Sequence, residues 1–261
     1  MLIENTLEGQ IDRVEVAIER LRQFEPTEGY YLAFSGGKDS QCIYELAKMS
    51  GVKFDTHFNF TTVDPPELLR FIRENYPDVI WDRPKKTMWQ LIEHNGMPPT
   101  RLIRYCCRYL KERGGEGRFV VTGVRSAESV KRKNRLVVDC NKHNKRMLNV
   151  IIDWSDKDVW DFIKQKKLKY CCLYDEGYKR IGCVMCPMKN TKGMLRDKKR
   201  YPNFYKAYLK AFGKAIISNT QKGNLTPVKT PEEMFTWWVF GKDKDIGNNR
   251  FFKEEQIFNY E

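Results

Sequence analysis

Residues 30–40 read YYLAFSGGKDS, a short aromatic and apolar run stopped by Ser35-Gly36-Gly37 and followed at once by a charged segment. Tyr30 to Phe34 suit a buried strand. The next helix is expected to start near Asp39, to bury Cys42, Ile43, Leu46 and Ala47, and to stop before Gly51. Two glycines between strand and helix let the backbone turn tightly and come close to a ligand, while unbonded N–H groups at a helix start attract anions. The turn therefore has the makings of a phosphate cradle. Lys38 adds a point charge, Ser35 and Ser40 add hydroxyl donors, and Asp39 either holds Mg²⁺ or caps the helix. The spacing is neither GxxxxGK[ST] nor GxGxxG, which excludes a Walker loop and a dinucleotide fingerprint. A plain strand-to-helix turn with an Asp cap is the bland alternative, but it needs far less than this six-residue string.

Outward from this turn, strand and helix patterns alternate. Leu7, Ile11, Val14, Ile18, Leu21 and Phe24 predict a first helix from Thr6. Strands are expected at 52–60, 79–81, 118–123 and 147–153. Helices are expected from Pro65-Pro66 to Tyr76, at 87–93, within 101–112 and at 155–165. That order predicts an α/β fold with a mostly parallel sheet covered by helices on both faces. The pattern changes near residue 170, so two parts are expected: a nucleotide-binding α/β domain over 1–170, and a Cys-rich loop with helices at 201–216 and 231–240 over 171–261. The tail after Gly241 either docks or is disordered.

The chain has 261 residues and a formal charge of +13, unevenly spread. Residues 101–210 hold 29 basic against 11 acidic groups, the remainder being neutral or acidic. This block is either a solvated face or a surface for a polyanion, nucleic acid included. No run approaches the roughly 18 apolar residues a membrane helix needs, and the acidic N-terminus is unlike a signal peptide, so a soluble, cytoplasmic protein without membrane contact is expected. In that compartment the eight cysteines are expected to be reduced, metal-bound or buried rather than disulfide-linked.

Cys106 and Cys107 are adjacent, and Cys183 and Cys186 form a CxxC 76 residues after Cys107. A CxxC in a Gly- and Pro-bounded turn aims both sulfurs at one site. An adjacent pair closes poorly on one tetrahedral ion, whereas a 4Fe-4S cube offers each sulfur its own iron; zinc and no metal remain alternatives. Cys171 and Cys172 are a second adjacent pair, and on spacing alone either pair completes a four-thiolate site with the CxxC. Cys42 is expected in the core and Cys140 is without a partner in sequence. His57, His94 and His143 have no cysteine or acid at motif spacing and are expected to be structural or superficial.

The string SGGKDS resembles the PP-loop family, in which SGGxDS binds the pyrophosphate of ATP or the phosphosulfate of an adenylyl sulfate. The chain looks most like the branch of phosphoadenosine phosphosulfate and adenosine phosphosulfate reductases. That likeness implies a Rossmann-like, adenine nucleotide alpha hydrolase-like fold. Thr122-Gly123-Val-Arg125-Ser-Ala-Glu128-Ser-Val-Lys-Arg132 is similar to the family's substrate-binding TGxRxxES..R stretch, which implies phosphate or sulfate contacts for Arg125 and Arg132, with Gly123 and Glu128 in the same site. Two arginines after a strand ending in Thr-Gly also suit bidentate oxyanion binding; the alternative is surface pairing with Glu128. The CC…CxxC arrangement is similar to that of cluster-bearing adenylyl sulfate reductases. It implies a 4Fe-4S cluster on Cys106, Cys107, Cys183 and Cys186, with Lys111 approaching it. The reductases' attacking cysteine lies in a C-terminal motif, and no cysteine follows Cys186 here.

The expected activity is therefore ATP pyrophosphatase or adenylating chemistry with Mg²⁺, in sulfur transfer to a nucleic acid or other acceptor, Lys38 and Asp39 acting in catalysis. A cysteine desulfurase or thioredoxin-like protein would supply sulfur. The alternatives are a sulfonucleotide reductase releasing sulfite and a non-catalytic nucleotide-binding or nucleic-acid-binding module.

Overall fold

Asp12 accepts a hydrogen bond from the Val14 amide and so sets the start of the first helix. In the computed structural model, which describes residues 2–6, 9–140, 145–224 and 227–241, strands β1 (Ile3–Thr6) and β2 (Gly9–Asp12) precede it as an antiparallel hairpin. Helix α1 is Arg13–Gln23, so the helix expected from Thr6 begins later. Gly9 and Ile11 belong to β2, where Ile11 is 41% exposed, while Ala17, Ile18 and Leu21 face the core. The chain continues through β3 (Tyr30–Phe34), α2 (Lys38–Ser50), β4 (Phe54–Asn59), α3 (Pro66–Asn75), β5 (Ile80–Asp82), α4 (Met88–Asn95) and α5 (Tyr105–Leu110). Then follow β6 (Val120–Thr122), α6 (Val130–Lys133), β7 (Val138–Cys140), β8 (Arg146–Asn149), α7 (Asp156–Gln165), α8 (Thr191–Arg200), α9 (Pro202–Gln221) and α10 (Pro231–Phe240).

The caps explain several boundaries. Gly51 ends α2 at φ +75°, a conformation that costs glycine little. Thr87, Ser155 and Thr230 close reciprocal capping boxes on α4, α7 and α10. Within 171–200, expected as loop, Asn190 accepts from the Gly193 amide and starts α8. The helix expected over 101–112 is confined to Tyr105–Leu110. The tail after Gly241 and His143 lie outside the described residues.

The chain forms two compact units. The first comprises 1–60, 66–83 and 113–181 and holds a six-stranded sheet in the order β5-β4-β3-β6-β8-β7. All neighbours pair in parallel except the antiparallel edge pair β7–β8. Its core joins Tyr30, Leu32 and Phe34 of β3 to Cys42, Ile43 and Leu46 of α2 and to Trp154, Val159 and Phe162. The α/β class expected from the alternating pattern is the class found.

The second unit comprises 61–65, 84–112 and the chain from Gly182. This differs from a boundary at residue 170. Met88, Leu91 and Ile92 of α4 bury their side chains with Tyr208, Ala211, Phe212 and Ala215 of α9, so a mid-chain segment shares a core with the C-terminal helices. Asn219 Nδ2 donates to the Gly96 carbonyl at 2.8 Å inside that core. No described helix is long and apolar enough to cross a membrane.

Two fully buried tryptophans provide a test of these cores. Trp238 Nε1 donates to the Pro99 carbonyl at 2.6 Å, whereas Trp154 Nε1 has no acceptor among the described residues. Trp238→Phe strands a buried carbonyl, which costs about 1–3 kcal/mol beyond the lost volume; Trp154→Phe removes an unpaired donor, which offsets its cavity. Urea unfolding followed by circular dichroism is expected to show the larger loss for Trp238→Phe; equal losses would count against this assignment of hydrogen bonds.

Candidate functional site

Strand β3 lies inside the sheet with β4 and β5 on one side and β6 and β8 on the other. The chain order thus reverses between β3 and β6, and the crevice outside the carboxyl ends of such strands is where open α/β sheets take ligands. Ser35 follows β3 and Gly123 follows β6, so both loops expected to bind phosphate reach this one place. They touch: a Cβ on Gly123 would lie 3.0 Å from the Asp39 carbonyl oxygen. At Gly36, φ is +70° and a Cβ would lie 2.7 Å from Ile72 Cδ1, so the turn requires glycine on two counts.

Hydroxyls brace the turn. Ser40 Oγ donates to the Gly37 carbonyl at 2.8 Å, and Ser35 Oγ lies 3.2 Å from Ser40 Oγ. Gly37 is the N-cap of α2 and provides no side-chain acceptor. Asp39 is the second residue of the helix, so it is not the cap. The Lys38 amide instead donates to the Tyr174 hydroxyl at 2.9 Å. An oxygen from elsewhere in the unit thus occupies one of the amides that an anion would use.

The charged side chains interlock. Lys38 and Arg125 are 4% and 3% exposed. Lys38 Nζ lies 2.7 Å from Asp156 Oδ1 and 3.5 Å from Asp39 Oδ1. Arg125 donates to Asp39 at 2.6 Å, to Asp156 at 3.0 Å and to the Trp154 carbonyl at 3.3 Å. The arginine expected to face a substrate phosphate is therefore turned onto two carboxylates and a carbonyl, because so buried a cation needs acceptors on every side. Burial alone would raise the Asp156 carboxyl, but the hydrogen bond from Lys38 and the charges of Lys38 and Arg125 bring it below its ordinary value.

Arg132 pairs with Glu128, as the surface alternative had it, yet it is only partly exposed. Burial, and then the charges of Arg180 and Arg135, push its guanidinium down to about 10. Arg180 reaches Glu128 at 3.8 Å. Asp156, Tyr174 and Arg180 are site residues that sequence reasoning missed. Only the helix expected at 155–165 pointed near one of them.

The second unit gathers Cys106, Cys107, Cys183 and Cys186. Cys106 on α5 faces Cys107 and the charges of Cys183 and Cys186; its hydrogen bond with Cys107, and burial, push it above the ordinary thiol range. The same hydrogen bond, with help from Lys111 and Arg104 against burial, draws Cys107 down to about 6. Burial raises Cys183, whose Sγ lies 3.5 Å from Thr61 Oγ1. Lys111 follows α5, and the charge of Cys183, then against desolvation those of Asp64, Cys107 and Cys186, hold its ammonium above the usual lysine range. Asp64, 4% exposed and raised by burial, accepts from the Thr61 amide at 2.7 Å.

The CxxC backbone is fixed from outside. Met185 sits at φ +52°; the Val184 amide donates to the Val63 carbonyl at 2.8 Å and the Met185 amide to Asp197 at 2.8 Å. Among the described residues no three His, Cys, Asp or Glu side chains are grouped as ligands of one ion. Cys171 and Cys172 belong to the first unit, where burial raises Cys171. Cys42 is in the core and Cys140 is exposed on β7. His57 is held between Asp82, at 3.0 Å, and Asp55, which in turn pairs with Arg118.

Residues 29–189 match the phosphoadenosine phosphosulfate reductase domain family. The chain belongs to that family. An uncharacterized protein of Methanocaldococcus jannaschii is 28% identical over 237 residues, which is 81% of this chain and 57% of that protein. A second from the same organism is 28% identical over 192 residues, 68% of this chain and 40% of that protein. The chain thus spans about half the length of these curated relatives. The adenosine 5'-phosphosulfate reductase of Allochromatium vinosum is 34% identical over 94 residues, 34% of this chain and 37% of that enzyme. In fold, the chain is similar to a phosphoadenylyl-sulfate reductase from Candida auris, solved with phosphate, at TM-score 0.51, 19% identity and coverage of 65% and 89%. It is equally similar to a Candida glabrata FMN adenylyltransferase at TM-score 0.51, 15% identity and 72% coverage of both chains. The adenine nucleotide alpha hydrolase-like fold expected from the SGGKDS resemblance is the fold observed.

The turn makes its own test. Gly36→Ala combines a strained φ with overlap on Ile72 and Leu68, whereas Gly51→Ala has a similar φ and nothing within 4 Å. Thermal unfolding is expected to show a cost of about 1–3 kcal/mol more for Gly36→Ala, with weaker nucleotide binding by calorimetry only for that variant. Equal effects would mean that the turn is not sterically constrained.

Proposed function

We propose that the chain binds ATP at the SGGKDS turn and activates an acceptor for sulfur transfer by adenylating it. The observation that carries this is the uncapped start of α2, where the Lys38 amide already holds an oxygen, that of Tyr174. A phosphate oxygen satisfies the same donor, and the helix dipole favours the added negative charge. The mixed lining separates ATP from a bare sulfonucleotide. Asp39 and Asp156 beside Lys38 and Arg125 suit a polyphosphate that brings a hard cation, since carboxylates alone would repel it. Mg²⁺ would sit on Asp39 and Asp156, and Arg132 would meet a phosphate; Gly36 and Gly123 let the backbone come close.

In this reaction an acceptor oxygen attacks the α-phosphorus, the bond to pyrophosphate breaks, and the leaving group takes up the negative charge that Lys38 and the α2 amides neutralise. A sulfur nucleophile then displaces AMP from the adenylated acceptor. A cysteine desulfurase or thioredoxin-like protein is the class of donor this step needs.

The four cysteines of the second unit fit an iron–sulfur cluster. The donor set is all thiol, Cys107 is drawn toward the thiolate, and Lys111 places a cation among the sulfurs. When bound, such a cluster supplies iron that can carry sulfur or electrons, and Cys106 and Cys107 with Cys183 and Cys186 would hold it.

A second reading, reduction of an adenylyl sulfate with release of sulfite, is favoured by the 34% identity with the Allochromatium vinosum reductase. Protein purified without oxygen and given ATP, Mg²⁺ and candidate acceptors is expected to release pyrophosphate, and Asp39→Asn is expected to lower the rate at least about tenfold. Sulfite from an adenylyl sulfate with thiol would install the second reading, and nucleotide binding with neither product would leave a non-catalytic module. The same preparation is expected to be brown, with about four iron and four sulfide per chain, and to lose its colour in Cys183→Ser. Colourless protein with one zinc would overturn the cluster.

A further inference from the structure

The oxygen on the Lys38 amide comes from a short segment of the first unit that follows α7. Residues 169–180 are tied at three points to the elements that build the turn. Gln41 Nε2 donates to the Lys169 carbonyl at 2.5 Å, the Lys38 amide donates to the Tyr174 hydroxyl at 2.9 Å, and Arg180 reaches Glu128 at 3.8 Å. Cys171 and Leu173 are buried in the core beneath, and the Tyr178 amide donates to the Leu173 carbonyl at 3.1 Å. The backbone of the segment is therefore held, and the Tyr174 side chain is the part that can swing. Its ring meets Trp160 at 5.1 Å and Tyr170 at 6.3 Å, both edge to face. Its hydroxyl lies over the turn itself, since a Cβ on Gly37 would come within 3.3 Å of it.

A phenol in this position outcompetes water but not an anion. Burial holds Tyr174 above the usual tyrosine range, so its oxygen is neutral. Against solvent, the bond to the Lys38 amide has the ordinary net advantage of an internal hydrogen bond. A charged oxygen bonds roughly twice as strongly as a neutral one, and this amide lies at the positive end of α2 with Lys38 Nζ close by. The turn thus has two states, one closed by its own side chain and one occupied by a ligand. Each ligand has to displace the phenol first. That cost belongs to the protein, so it is the same for every ligand that uses the amide.

We propose that Tyr174 is an autoinhibitory latch on the SGGKDS turn, its hydroxyl holding the Lys38 amide in the empty protein and giving way to a phosphate of the nucleotide. This rests on the reading of the turn as the nucleotide site and adds how that site is regulated. The latch weakens all phosphate ligands by one common factor. A ligand held by the turn alone, such as inorganic phosphate, is thereby kept off, whereas a nucleotide with contacts elsewhere still binds. Trp160 stands one helical turn after Asp156 on α7, so the ring that reports on Tyr174 is carried by the helix whose carboxylate holds Lys38.

The test is calorimetry of the full chain with pyrophosphate and with ATP, each with Mg²⁺, on the unaltered protein and on Tyr174→Phe, which keeps the ring and removes the oxygen. Tyr174→Phe is expected to bind both ligands about fivefold more tightly, the two factors agreeing to within about twofold. Tyr170→Phe loses a hydroxyl that bonds Asp175 and not the turn, and is expected to stay within about twofold of the unaltered protein. Pyrophosphate does not absorb where tryptophan does. It is expected to change the tryptophan emission of the unaltered protein, and Trp160→Phe is expected to lose most of that change. Affinity unchanged or weakened in Tyr174→Phe, or a gain confined to ATP, would overturn the latch. Failure of both ligands to bind either protein would overturn it together with the turn as a phosphate site. The common gain without release of pyrophosphate from ATP would keep the latch and remove adenylation alone.

Discussion

A helix that starts at a glycine leaves backbone amides without an acceptor from its own cap, and much of the first unit is arranged around that deficit. The start of α2 cannot be moved. β3 ends at Phe34, Gly36 must adopt a positive φ against Leu68 and Ile72, and Gly123 presses on the Asp39 backbone from the neighbouring strand. The sheet order brings β3 and β6 side by side with their loops on the same end, so the donors face a crevice instead of a packed interface. Tyr174 satisfies one of them with a neutral oxygen. A neutral acceptor on a dipole end is a weaker partner than an anion, which is why the geometry suits exchange for a phosphate.

The charges around this turn follow from the same constraint. Lys38 and Arg125 are too deeply placed to remain unpaired, and Asp39 and Asp156 neutralise them at hydrogen-bond distance. A pocket lined only by cations would hold a sulfate or phosphate tightly without help. A pocket whose cations are already matched by carboxylates has less charge left over for an anion. Arg132 and Arg180 differ: two guanidiniums share Glu128, which leaves a net positive charge there.

In the second unit the thiols of α5 and of the CxxC turn shift one another. Four thiols from two distant stretches repel one another as they ionise, and the hydrogen bond from Cys106, helped by the charge of Lys111, draws Cys107 down. Val63 and Asp197 hold the CxxC backbone through hydrogen bonds that do not involve the sulfurs. Discontinuity in sequence is the consequence. The stretch 84–112 must leave the sheet unit to bring Cys106 and Cys107 to the C-terminal helices.

Local pattern alone determined much of this protein: the α/β class, β3 with its glycine turn, and α2 with its stop at Gly51. Each is written in contiguous residues through periodicity or glycine freedom. Other features depend on residues far apart in the chain and were invisible until it folded. The β1–β2 hairpin replaced half of an expected helix because Asp12 caps a later start. Arg125 turned inward because Asp156, 31 residues on, lies beside Asp39, and Tyr174 reached the Lys38 amide across 136 residues. Spacing in sequence decides which groups can act together locally, but which cation meets which carboxylate depends on how strands and loops are ordered in space, and only the tertiary structure decides that.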